Sequence, residues 1–417
     1  MNFAQRRWMY LSLSVIIAIC TGIGYTWSVF QDPLIAYFHW QLTAASLIFT
    51  SQVAISTLTP IFIGKYQAKI GTRRYLALGA LIYGCGLIGA GHAFNFLTFY
   101  LSFSIGVGIG IGMLYPCLMG YAVQLIPERR GLATGLIAGS FGSGALVWAP
   151  IAVKLQAIVG ILSVYTVLGC SFIVIIISLV LLLRAPDINF KPKVSAKITR
   201  KSYSGTVEMN WHQMVRTTKF WMLLALFAIG TSSGLMIIGH ASAILIENLG
   251  INATQAAFLV GIMSISNASG PIIWGTLSDS LGRGKTLLIL FAIVTCSMFT
   301  LYFTRSHTIF ICAILITGFA YGGFAALIAP ASADLFGTHH VNVNYGFLYI
   351  SFGLGGTIGP QIGAFSKSIA GHYTPGFMII ASLCVVGMGL AYRVFYVKPI
   401  QTAVNHETSS MVCSNEK

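Results

Sequence analysis

The chain has 417 residues, 56% of them hydrophobic and only 8% charged, with 24 basic against 9 acidic side chains. A soluble globule carries roughly a quarter charged residues, so this composition excludes a soluble enzyme or a nucleic-acid binder and assigns the chain to the lipid bilayer. The formal charge of +15 falls in short clusters between apolar runs, where basic residues set membrane orientation rather than attract a polyanion.

A membrane-crossing helix needs roughly 20 apolar residues. Twelve such runs follow one another near 8–30, 43–64, 75–95, 97–125, 131–154, 159–183, 220–245, 253–275, 286–304, 308–330, 343–366 and 375–397. The first follows Arg6 and Arg7 in the manner of a signal peptide, yet it is too long for an h-region and lacks a small-x-small cleavage site, so it is predicted to remain as a span. With the N-terminus cytoplasmic, every basic residue except Lys154, Arg305 and Lys367 lies on one side, and this asymmetry places both termini on the cytoplasmic face of the cell membrane. The predicted organisation is a six-helix bundle over 1–183, a polar linker over 184–219 carrying Lys191, Lys193, Lys197, Arg200 and Lys201, a second six-helix bundle over 220–400, and a disordered tail over 401–417. The fold class is all-α integral membrane, twelve transmembrane helices in two pseudo-symmetric bundles.

Motifs that resemble chemistry find no supporting context. Seven of eight cysteines lie in apolar runs and none forms a C-x-x-C pair, so they read as packing residues. His339-His340 stands in a loop without further ligands, and neither a metal nor a cofactor is expected. The run Gly106, Gly108, Gly110, Gly112 lies inside an apolar span with no preceding strand; it serves close helix approach, not phosphate binding.

An internal repeat is legible at an offset of 211. Gly64 and Gly71 after the second run correspond to Gly275 and Gly282 after the eighth, and Ser140-Phe141-Gly142-Ser143-Gly144 returns as Ser351-Phe352-Gly353-Leu354-Gly355. Parallel six-span repeats related by an axis along the membrane normal form a plan used by secondary transporters, with the binding site near the midplane between them.

The loop pattern G-x-x-x-D-x-x-G-x-[RK] between the second and third spans of each half resembles the signature of the major facilitator superfamily, over nearly the whole chain. Tyr25-Thr26-Trp27-Ser28, Pro127-Glu128-Arg129-Arg130-Gly131, Lys219-Phe220-Trp221, Asp334-Leu335-Phe336-Gly337 and Asn344-Tyr345-Gly346 look like the oxalate/formate antiporter family, which borders the monocarboxylate porters. The resemblance implies that Tyr25, Tyr115 and Tyr321 line a central cavity; ordinary helix packing is the other reading of these tyrosines. It also implies that the positions of an Arg in the eighth span and a Lys in the eleventh are here Pro271 and Phe352, so that both charges are missing. Pro271, Phe352 and the Gly-rich stretch 353–356 are expected to shape the cavity.

The same loops imply a cytoplasmic gate of Asp279 and Arg283, with Gly64, Gly71, Arg73, Gly275 and Gly282 at its turns. The acidic position is Ala68 in the first half, so the latch is expected to be lopsided; Lys69, Arg73 and Arg74 read equally as topology anchors. None of the nine acids falls at a span centre, which disfavours a carboxylate proton relay. His240 and Lys154 read as groups near the outer ends of their spans.

The expectation is a transporter, not an enzyme, that moves a small organic anion, a monocarboxylate, by alternating access. The alternatives are a porter for a neutral or zwitterionic metabolite such as an amino acid, and a membrane sensor that has lost flux. The expected partners are a small-molecule substrate and the bilayer, with no nucleic acid and a functional monomer.

Overall fold

The computed structural model describes residues 3–184 and 208–397. Most of the linker and the tail fall outside the described residues, as do the side chains of Tyr25 and Ala68. Among the described residues there is no strand.

Twelve helical rods follow one another. Eleven contain a single helix long and apolar enough to cross a bilayer, including Thr72–Gly91, Phe96–Leu125, Arg130–Val159, Ile161–Leu182, Thr218–Leu249, Arg283–Phe303, His307–Phe336 and Thr374–Tyr396. The second and eighth spans are Leu42–Ile70 and Ala253–Leu281. The eleventh is divided at Tyr349 into Val341–Leu348 and Ile350–Ala370, and its many glycines and polar residues keep it below the hydropathy of the others. The first span is longer than its apolar run. Phe3–Thr21 passes through a tight turn at Gly22–Thr26 into Trp27–Phe38, and Gly22 there packs against Phe141 and Gly144 of span five, where a side chain would collide with main chain.

Junctions follow from the sequence. Gly71 and Gly282, repeat mates, end spans two and eight with φ of +83° and +88°, a region open to glycine and strained for residues bearing a Cβ. Asn252 starts span eight by accepting the Gln255 amide, and the Gln255 side chain returns the bond, which satisfies amides a helix start leaves orphaned.

The glycines of span four permit the close packing expected of them. Gly106 meets Gly86 of span three, and Gly110 lies against Tyr83. Span three packs on four and six, and span one on five; in the second half seven packs on eleven and twelve, and eight on ten. Large apolar side chains such as Phe62, Val174, Phe258, Phe303 and Val385 point outward and are more than half exposed. In water so many would be a liability; against lipid they are the solvent-facing surface. Between the halves, span five crosses eight and ten, and span two meets eleven. These crossings hold the site.

Candidate functional site

Span five and span eight approach backbone to backbone. Gly131 faces Gly275, Gly135 faces Pro271, and Gly139 faces Ala268; a Cβ on Gly131 or Gly135 would strike the main chain opposite. Above this seam a cavity opens between the halves. The first half contributes Tyr115, Ala138, Phe141 and Gly142, and the second contributes Asn267, Pro271, Tyr321, Tyr349 and Phe352.

The walls are aromatic. Ring centroids lie 4.5 Å apart for Tyr115 and Phe141, 5.6 Å for Tyr115 and Tyr349, 5.5 Å for Tyr349 and Phe352, and 6.5 Å for Tyr321 and Phe352. The space left is about 20 Å³, room for on the order of one water. Among the described residues, no lining side chain bears a formal charge. A solute therefore enters only when the halves part.

The repeat organises this chamber. Phe141 and Phe352 are mates at the 211 offset, and both line it; so do Ala138 and Tyr349. Pro271 is the mate of Pro60, and each sits inside its helix. A proline cannot donate to the carbonyl four residues earlier, so Pro271 releases the carbonyl of Asn267, against which Gly322 of span ten is packed.

Of the five residues assigned to the substrate from sequence, Tyr115, Tyr321, Pro271 and Phe352 share this cavity. Tyr25 lies in the tight turn of span one, its side chain outside the described residues. The glycine run following Phe352 turns elsewhere, Gly353 against Thr57 and Gly355 against Thr231 and Ser232. Phe141, Tyr349 and Asn267 were not selected from sequence. The signal for Phe141 was present, because the repeat makes it the counterpart of Phe352.

At the end carrying the basic loops an ionic cluster joins the halves. Asp279 Oδ1 accepts the amide of Gly131 at 2.8 Å and Oδ2 that of Leu132 at 2.9 Å. These belong to the first turn of span five, whose preceding residue Arg129 gives no side-chain cap. Arg283 donates to Asp279 at 2.8 Å and to Asp334 at 3.1 Å, and also to the Ser278 hydroxyl. Arg130 completes the chain by donating to Asp334 at 2.7 Å. Arg283 and Asp334 are each 7% exposed in their side chains, so solvent screens this pair weakly. Gln124 donates to the Thr338 carbonyl, and Thr134 reaches the Ala326 carbonyl at 3.0 Å, which Pro330 leaves without its helical partner.

Among the gating residues named from sequence, Asp279, Arg283 and Gly275 enter this latch; Gly282 and Gly71 form the turns, and Gly64 lies in the last turns of span two. Arg73 is exposed, with no ion pair among the described residues. Arg130 and Asp334 are latch members that the loop pattern did not mark. A linker residue adds a contact on the other side: Glu208 accepts the amides of Thr338 and His339 at 3.1 and 2.9 Å, and Asn344 donates to the Met209 carbonyl at 2.9 Å.

The sequence profile of the Major Facilitator Superfamily matches residues 11–242 and again 231–411. The chain belongs to the Major Facilitator Superfamily. It is a membrane transporter and not an enzyme. Among superfamily relatives it is similar to the oxalate:formate antiporter of Oxalobacter formigenes, 27% identical over 388 residues, covering 92% of this chain and 90% of that one. It is also similar to monocarboxylate transporter 13 of Rattus norvegicus, 24% identical with 92% and 87% covered. The fold superimposes on the Escherichia coli fucose:proton symporter with a TM-score of 0.72 at 16% identity, over 95% of this chain and 100% of that one. Twelve spans in two bundles are thus the superfamily architecture.

Proposed function

We propose that this superfamily member carries a small monocarboxylate across the cell membrane by alternating access, as a monomer, with both termini and the linker in the cytoplasm. The two transporting bodies are residues 1–183 and 220–400. The carrying observation is the aromatic cavity at the junction of the halves, built from repeat-related positions on spans five and eleven. The named substrates of the two relatives, an oxalate:formate antiporter and a monocarboxylate transporter, support the choice of cargo.

Tyr115, Tyr321 and Phe352 line the binding site and Pro271 shapes it, with Tyr25 nearby in sequence register. The latch of Asp279, Arg283, Arg130 and Asp334 keeps the cytoplasmic side shut while the other side exchanges solute. A doubly charged acid is disfavoured, because no cationic side chain lines the cavity and an unpaired charge is costly to bury. The same observation favours a second reading, a neutral or zwitterionic solute.

Counterflow in proteoliposomes separates these readings. Inhibition by formate, acetate, lactate or pyruvate is expected. If all four fail while a neutral amino acid competes, the monocarboxylate assignment falls; if no solute exchanges, the protein is a sensor.

A further inference from the structure

The cavity has aromatic walls and one carboxamide. Asn267 lies on span eight, one turn before Pro271 on the same face, and both line the chamber. Its side chain makes no hydrogen bond among the described residues, although it is only partly buried inside the protein. Its main-chain carbonyl is the one that Pro271 releases.

Resting on the monocarboxylate reading, we propose that Asn267 is the specificity-determining residue and that it receives the acid in its undissociated form. A carboxylic acid and a primary carboxamide are complementary: the acid O–H donates to Asn267 Oδ1, and Asn267 Nδ2–H donates to the acid carbonyl. Both partners stay neutral and each offers one donor and one acceptor. The hydrocarbon part of the solute rests on Phe141 and Phe352. No protein group changes charge in this step, because the proton arrives and leaves on the solute.

The energetics favour this form. An acid whose pKa lies about three units below ambient pH is protonated in about one molecule per thousand, which is worth about 4 kcal/mol. A bare carboxylate in a chamber without a counter-charge costs more, and a buried group in that position takes up its proton instead.

The rival proton carriers are few. Among the described residues, the titratable side chains facing the chamber are Tyr115, Tyr321 and Tyr349. The charged side chains and histidines on the lining spans are Arg130 and Lys154 on span five, Asp279 on span eight, His307 and Asp334 on span ten and Lys367 on span eleven; Arg130, Asp279 and Asp334 are held in the latch with Arg283, and Lys367 pairs with Glu247. Each of those on the lining spans lies eight or more residues along its span from the chamber, about 12 Å or more away. On span seven, behind Tyr321, His240 Nε2 is 2.9 Å from the Pro360 carbonyl.

The test uses the full chain in proteoliposomes, with protein-free vesicles subtracted for passive entry. Counterflow of two acids of similar size but different pKa is followed against pH. The expected result is a half-saturating total concentration that rises about tenfold per pH unit, with the two curves displaced by the difference between the acids' own pKa values. His240→Gln should leave that displacement intact. The primary amide of the acid should compete, whereas the corresponding sulfonate should not. Asn267→Leu, close in volume, should raise the half-saturating concentration about tenfold and lose the preference for amide over sulfonate. Superimposed pH curves for both acids, or competition by the sulfonate equal to that of the acid, overturn the inference while leaving monocarboxylate transport standing. Absence of counterflow with any monocarboxylate removes both.

Discussion

Asp279 and Gly131 belong to different halves of the protein, yet the carboxylate of one accepts the amide of the other at 2.8 Å. The acid acts as the helix cap that the adjoining residue Arg129 does not give span five, and the positive end of that helix favours its charge. The latch is therefore a contact between a fixed charge and a backbone, which the removal of one charge weakens without removing a side chain's bulk.

Asp279→Asn is expected to keep the fold and to weaken latch closure by about 1–3 kcal/mol, since charge-assisted bonds are lost. Labelling from the cytoplasmic side of a cysteine placed at Ser332, buried two residues before Asp334, should quicken about tenfold or more, and turnover should fall more than binding. Unchanged labelling and uptake would remove Asp279 from the gate.

Gly131→Ala addresses the seam. The added methyl would strike the Gly275 carbonyl and crowd the Ser278 hydroxyl and the Arg283 guanidinium of the latch, and a main-chain oxygen has little room to yield. The variant should hold the halves apart at this end, lowering transport at least about tenfold while circular dichroism and detergent-solubilised yield stay normal. Gly64→Ala, where a Cβ meets only Pro60 at 3.9 Å, is the control and should transport normally.

Phe352→Lys places a fixed ammonium in the chamber. It should strengthen competition by sulfonates and other permanent anions about tenfold and flatten the pH dependence, because an anion would then find its counter-charge. No change in selectivity would show that the residue does not meet the solute.

His340 gives a pH prediction at the linker contact. Burial, and next the neighbouring His339, lower its pKa, while Glu208 acts in the opposite sense. The lowered value belongs to the folded loop as a whole, with Glu208 opposing it, and means that the folded loop disfavours the protonated ring. The fold around Thr338 and His339 should therefore be complete above the ordinary histidine value of about 6.5 and weaken as pH falls below it. Hydrogen exchange at those two amides, corrected for its intrinsic pH dependence, should show protection lost in that direction. His340→Gln should abolish the trend, and Glu208→Gln should lower protection at every pH.

Much of the architecture was legible because lipid makes simple demands on sequence. Apolar runs separated by glycine and charge marked twelve spans, and the 211 offset paired Gly71 with Gly282, whose dihedrals agree within a few degrees. Span one was read too short because Gln31 and Asp32 end its apolar run, whereas the helix carries on to Phe38; the tightened 3-10 stretch at Gly22–Thr26 stays apolar, so hydropathy does not mark it. In the chamber, nothing in the sequence marks Tyr349 apart from other aromatics on the spans. Its role depends on the division of span eleven at that residue, a feature that composition does not reveal. Arg130 and Asp334 escaped notice for another reason. Each lies at a span end where topology alone accounts for a charge, and only the crossing of spans five and ten brings them within 2.7 Å.

The latch contains two arginines and two aspartates. Arg130 supplies its one positive charge on the first half, whereas Asp279, Arg283 and Asp334 sum to one negative charge on the second. Opening therefore parts unit charges of opposite sign, and the attraction that draws them back together is the kind that added salt weakens.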